Sequence, residues 1–210
     1  MAAASYLALA VMLLWPSIGP GRTLVPTDIV AAVEPYASLD HDGPPANAIL
    51  SDATFQFFPW YRFVATHLRE GVIPRWNPDI LGGVPVTPNG FVNVYYPPFW
   101  LAAVLSTYDA YNLFVVGHLA LGAAGIYAFS RVLGARFVAS WTAGVAALGA
   151  AMWVHWSTHL VHLVGMVWAP LALAAAHHLL ARPSPRAGAG LGAVVGLWLL
   201  GANPQYAYYG

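Results

Sequence analysis

AYNLFVVGHLALGAAGIYAFS, residues 110–130, decides the fold. The stretch carries no acid, lysine or arginine. As an α-helix it is about 31 Å long, which matches the hydrocarbon thickness of a bilayer. Its apolar residues do not alternate with period two, so it does not read as a barrel strand. Working outward, 137–154, 163–181 and 187–202 are three further apolar stretches, and ASYLALAVMLLW (4–15) is a fifth near the start. The fold class expected is all-α: a polytopic transmembrane helical bundle.

Composition narrows the choice in the same direction. Of 210 residues, 59% are hydrophobic and only 8% charged, against about 25% charged in an ordinary soluble domain. Mean hydropathy is +0.62. So few charges cannot cover the surface of a soluble fold, and disorder needs the opposite composition. Basic and acidic residues balance at eight each, with no basic stripe and no finger or RNP motif, so no nucleic-acid partner is expected. With no cysteine there is no disulfide framework. Residues 1–20 are read as the first transmembrane helix. A cleaved signal peptide is the alternative, but no basic residue precedes the apolar run.

Residues 21–109 differ in kind. They hold every acid, from Asp28 to Asp109, and most of the prolines. Pro and Gly at this density break long helices, so a large polar loop with short juxtamembrane helices is expected. One such helix is predicted over 53–70, where Phe57, Phe58, Tyr61, Val64, Ala65 and Leu68 recur at helical spacing. A second is predicted over 97–107, too short to cross a bilayer. Beyond Asp109 the only formal charges are Arg131, Arg136, Arg182 and Arg186. They fall in two turns, which the positive-inside rule places in the cytoplasm. Loop 21–109 and the connection 155–162 are then outside, four transmembrane helices occupy 110–202, and 203–210 begins another outer loop. Gly188, Gly192 and Gly196 repeat every four residues, the spacing of close-packed membrane helices.

Several side chains are candidates for chemistry. Asp52, at the head of the predicted 53–70 helix, is a possible base or cation-holding anion, or an ordinary helix cap beside Ser51. Asp40 and Asp42, the runner-up to Asp52 as catalytic carboxylates, flank His41 and could ligate a metal or form a solvated turn. Asp79 in WNPD reads as a turn residue. Arg62, Arg69 and Arg75 suit a phosphate, since guanidinium binds its oxygens in pairs, or anionic lipid headgroups. Gln56, Trp60, Trp76, Tyr95 and Tyr96 could line a sugar or prenyl site, or form the aromatic belt of a membrane interface. His155, His159 and His162 are spaced as one helical face, which suits either a metal or a polar patch. His118 lies inside a span and should face protein, while His177 and His178 read as interface residues.

SDATFQFFPW (51–60), EGVIPRWNPDILGGVP (70–85), VYYPPFWL (94–101), VWAPLAL (167–173) and GANPQYAYY (201–209) together resemble the opening of the YfhO-type bacterial membrane proteins. Asn203 stands where many of those relatives carry His. That family is similar to the polytopic GT-C glycosyltransferases, which act on the outer face of the membrane with a sugar donor carried on polyprenyl phosphate. The resemblance implies a GT-C-like architecture in the bacterial cytoplasmic membrane, with the family's essential loop aspartate at Asp52 and the turn bearing His155 and His159 on the same side, where it could help bind a donor or acceptor. It also implies a cell-envelope acceptor and a longer protein of which this is the amino-terminal portion. A divalent metal is a possible cofactor. A flippase or transporter of lipid-linked sugars and a non-catalytic scaffold are the competing readings.

Overall fold

A computed structural model describes residues 2–38 and 43–209. Asp40, His41 and Asp42 lie outside the described residues. The chain is mostly helical, and its strands are two residues each: β1 (Trp76–Asn77) pairs antiparallel with β2 (Val84–Pro85). The helices are α1 (Ala2–Ile18), α2 (Asp28–Ala31), α3 (Phe58–Arg69), α4 (Thr107–Val132), α5 (Phe137–Leu148), α6 (Ala151–Trp156), α7 (Leu160–Ala181), α8 (Pro185–Gly201) and α9 (Pro204–Tyr209).

The long helices pack side by side, and side-chain contacts fix their directions. α4 and α7 advance together: the Tyr111 hydroxyl donates to the Thr158 carbonyl, Gly122 abuts Val167, and Gly125 abuts Leu171. α1 runs the other way. Its Tyr6 donates to the Trp141 carbonyl at 3.1 Å and faces Tyr127, and the chain just past its far end meets Asn112. That buried amide accepts from the Leu24 N–H at 2.9 Å and the Thr23 hydroxyl at 3.3 Å, and donates to the Arg22 carbonyl. α8 returns antiparallel to α7, with the Trp198 indole donating to the Gly165 carbonyl at 2.9 Å. Both arginine-bearing turns, 131–136 and 182–186, therefore sit at one end of the helices. The polar loop, α6 and α9 sit at the other.

Two helices, α4 and α7, are long and apolar enough to cross a membrane; α1 and α5 are apolar but shorter. Half of the apolar window of α4, and half of that of α7, is buried inside the protein. Leu113, Leu173 and Leu180 point outward, as do Met12 and Leu13 of α1, Val138 of α5 and Leu199 of α8.

Several expected boundaries move, each for a local reason. α4 begins at 107 rather than 110, because Ser106 accepts from the Asp109 N–H at 3.1 Å and its hydroxyl donates back to the Asp109 carboxylate at 2.6 Å, a reciprocal cap. The helix expected over 137–154 breaks after Leu148, where Gly149 ends α5 and the extended Ala150 precedes α6; glycine is the weakest helix former after proline. The expected 97–107 helix is a 3₁₀ turn, Pro97–Ala103, about 14 Å long. Its Phe99 sets its edge against Tyr61 at 4.5 Å, which packs the turn under α3. Residues 204–209 form α9 rather than open loop, and α7 and α8 each start a few residues early. The segment 53–69 is helical, opening with a π-turn over Ala53–Phe57, and Pro59 sits in the first turn of α3, where its missing N–H costs nothing.

The glycine repeat on α8 does not pack against the described residues. A methyl group added at Gly188, Gly192 or Gly196 would meet nothing within 4 Å. The close approaches are elsewhere: at Gly122 the added atom would lie 2.6 Å from Trp153, and at Gly144 2.8 Å from the Ala123 carbonyl.

Candidate functional site

The π-turn carries Asp52 toward the segment that joins α6 to α7. Thr54 donates to the Pro26 carbonyl at 2.8 Å, which fastens this turn to the start of the loop. Asp52 itself has helical backbone angles and makes no capping hydrogen bond. It is exposed, and its charge acts on both His159 and His162.

The three histidines do not share a helical face. His155 is on α6, His159 lies in the connection with non-helical backbone, and His162 is on α7. The break at 157–159 nevertheless gathers them around Trp156, whose ring lies 5.0 Å from His155, 5.0 Å from His159 and 4.8 Å from His162. Phe57, from the π-turn, sets its edge against His159 at 5.3 Å and His162 at 5.8 Å. Phe57, Trp156 and Tyr206 are site residues that residue chemistry alone did not single out. Tyr206, on α9, joins its hydroxyl to Nδ1 of His162 at 3.0 Å.

His159 is 4% exposed. Burial pushes its imidazole down to about 4, helped by the neighbouring His162 and opposed by the Asp52 charge. At neutral pH this ring is uncharged, with one nitrogen that donates and one that accepts. Thr158 Oγ1 lies 3.3 Å from its Nδ1. The cluster thus offers one exposed carboxylate beside the neutral His159 ring, suited to taking a proton from a hydroxyl and to holding polar oxygens.

Beside this cluster a cavity of about 640 Å³ opens between α4, α6, α7, α8 and α9. His162, Gln205 and Tyr206 form its polar end. Met166, Pro170 and Leu173 carry it down α7, a run from His162 to Leu173 of about 16 Å. Pro170 lacks the N–H that would bond the Met166 carbonyl, so the helix is loosened where it lines the cavity.

The remaining candidates separate into structural and open positions. Tyr96 is not a lining residue: it is 0% exposed. Its hydroxyl accepts from the Trp168 indole at 2.8 Å and meets His118 Nε2 at 2.7 Å. His118 Nδ1 lies 2.7 Å from the Phe114 carbonyl, which can only accept. Nδ1 therefore carries the proton, and Tyr96 donates to Nε2. Trp60 is buried against Phe63 at the base of α3. Arg69 is committed to structure, donating to the Leu105 carbonyl at 2.9 Å and to Thr107 at 3.0 Å. Arg62 and Arg75 are exposed. Trp76 is 55% exposed and covers Gly83, where an added methyl would lie 2.4 Å from its ring. Tyr95 is exposed near Leu200, on a separate small cavity of about 210 Å³. Gln56 is half-buried. Asp79 is held in a turn in which its N–H donates to the Asn77 side chain at 2.9 Å.

Among the described residues no group of three or more His, Cys, Asp or Glu side chains is placed to hold a metal ion. The donor set around Asp52 thus does not fit a metal held by these residues alone. No protein-family model matches the chain, and neither a curated protein nor a solved structure matches it.

Proposed function

We propose that the chain belongs to a multi-pass GT-C-like glycosyltransferase of the bacterial cytoplasmic membrane. It would transfer a sugar from a polyprenyl-phosphate donor to a hydroxyl of a cell-envelope acceptor, with loop 21–109 outside. Membrane residence draws support from the apolar side chains that face outward on α1, α4, α5, α7 and α8. Water would penalise such a surface and lipid would not. The single-ended placement of the arginine turns supports the orientation.

The observation that carries the catalytic reading is Asp52, uncapped and acting electrically on His159 and on His162, the second of which lines an apolar cavity. In this reading the prenyl chain lies along α7, and His162, Tyr206 and the exposed Arg62 and Arg75 receive the phosphate end. The acceptor oxygen forms its bond to the anomeric carbon as the bond from that carbon to the phosphate oxygen breaks. Asp52 takes the acceptor's proton, and the carrier leaves as its phosphate.

Replacing Asp52→Asn in the intact membrane protein should lower transfer by about 100-fold or more while leaving its thermal stability unchanged. Transfer that persists in this variant removes the catalytic assignment; translocation of the lipid-linked sugar without transfer in the native protein moves the reading to a flippase. Orientation has its own test, since the chain has no cysteine. A thiol introduced by Ser184→Cys should resist an impermeant maleimide in intact cells, and one introduced by Ala46→Cys should react.

A further inference from the structure

The segment from α6 to the start of α7 forms walls of two cavities, not one. Met152, Trp153 and His162 face the apolar cavity already described. Val154, His155, Ser157 and Thr158 face a second space of about 520 Å³, closed by the end of α1, residues 23–28 and residues 47–50. Asp52 follows that last wall by two positions, and His159 lies between the two sets of wall residues. The cluster around Trp156 is therefore a partition, with a different chemistry on each side.

The second cavity is lined by polar side chains, of which Thr27, Asp28, Asn47 and His155 are open to solvent. Ser17, Thr27, Asn47 and His155 contribute to it, and none of the four side chains hydrogen-bonds another described residue. Asp28 accepts from the Ala46 N–H at 2.8 Å through one carboxylate oxygen, which leaves the other for a ligand. Leu14, Leu24 and Leu50 supply apolar wall. Amide, hydroxyl, imidazole and carboxylate groups around a partly apolar floor suit a molecule with adjacent hydroxyls and a C–H face. A free phosphate is a poor match, because no arginine lines the space and a carboxylate does.

We propose that this second cavity binds a neutral, polyhydroxylated, carbohydrate-type ligand, and that the Trp156 partition holds it apart from the chain of a lipid-linked donor. Calling the ligand an acceptor rests on the transferase reading; its binding does not. Its hydroxyl would reach Asp52 around the 157–159 connection, while the donor's apolar chain stays on the α7 side.

The test uses single thiols in the intact protein, held in lipid nanodiscs free of sugar detergents. Asn47→Cys reports on the second cavity and Leu173→Cys on the first. Maltose, cellobiose and diacetylchitobiose are the probes, with ethylene glycol as the control for bulk hydroxyl content. At least one disaccharide should slow N-ethylmaleimide alkylation at position 47 by about threefold, as expected near twice its Kd, and leave position 173 unchanged. Adding Thr27→Val and Ser17→Ala should abolish that protection, with the unchanged rate at position 173 showing that the fold is kept. No protection at position 47 by any of the three, or equal slowing at both positions, overturns the proposal. Protection together with full activity of Asp52→Asn overturns only the transferase reading. Lost transfer in that variant without protection overturns only this one.

Discussion

Two glycine-bearing surfaces of this molecule look alike in sequence and differ in use. Gly122 and Gly125 on α4 let Trp153, Val167 and Leu171 approach to within a methyl group's reach, and Gly144 on α5 does the same for Tyr6 and the Ala123 backbone. Gly188, Gly192 and Gly196 on α8 have the cleaner four-residue period and face open space. Spacing states which residues share a helix face; it does not state whether that face has a partner. On α4 and α5 the absent side chains are filled by rings and backbone from neighbouring helices. On α8 they are filled by nothing among the described residues.

The sharpest way to break this contrast is to add bulk on both sides. Gly144→Val should destabilise by about 3 kcal/mol, because the intruding carbon meets a backbone carbonyl that cannot swing aside. Gly122→Ala should cost somewhat less, since the Trp153 ring can tilt at the price of the cavity wall it forms. Thermal unfolding of both variants in nanodiscs reads the difference. Equal stability of Gly144→Val and the native protein would remove the close α4–α5 packing from the fold.

The same α4–α7 seam is tied by a buried polar chain, and a neighbouring pair of tyrosines tests it. Tyr96→Phe leaves the Trp168 N–H and His118 Nε2 without their shared partner in a buried site, a loss of about 2 kcal/mol. Tyr95→Phe, one residue away and 44% exposed, should change stability by less than about 0.5 kcal/mol. A cost for Tyr95→Phe that matched Tyr96→Phe would mean that the loop is packed in the opposite register.

That tyrosine pair also shows what the sequence could and could not carry. The helices were legible because long apolar runs without charge and without period-two alternation read as helix, and the loop was legible from its acids and prolines. Side-chain direction within the loop was not. VYYPPFWL offers two tyrosines of equal composition, and only tertiary contacts with His118 and Trp168 decide which is core. The histidines at 155, 159 and 162 were legible as a group but for the wrong reason. A continuous helix would have aligned them, whereas a broken one wraps them around Trp156. Asp52 gave an ambiguous signal, since a carboxylate before a helix is usually its cap; here the helical backbone at 52 leaves it uncapped. Tyr206 carried no signal at all, because its partner His162 lies far away in sequence.

At the top of the seam, pH offers a gentler probe. Burial of His159 holds its folded-state value near 4, below the ordinary 6.5. The unfolded chain therefore takes up this proton first as pH falls. The contribution is fully present above about 6.5 and is lost progressively as pH drops toward 4, at no more than about 1.4 kcal/mol per pH unit. Asp52, His155 and His162 surround the ring and make the observed slope a property of the group. His159→Gln should flatten stability between pH 6.5 and 4 relative to the native protein. An identical slope in that variant would place the titration elsewhere.

The smallest expected effect closes the comparison on the α8 side. Gly192→Ala adds a methyl group where nothing lies within 4 Å, so no contact is strained. The alanine restricts the unfolded backbone and favours the helix, which should raise stability by about 0.5 kcal/mol. The sign matters more than the size. A gain identifies the Gly188–Gly196 face as open in the protein measured. A loss comparable to that of Gly122→Ala would mean that this face meets a surface supplied from outside these residues, and the regular glycine spacing on α8 would then mark a second packed seam.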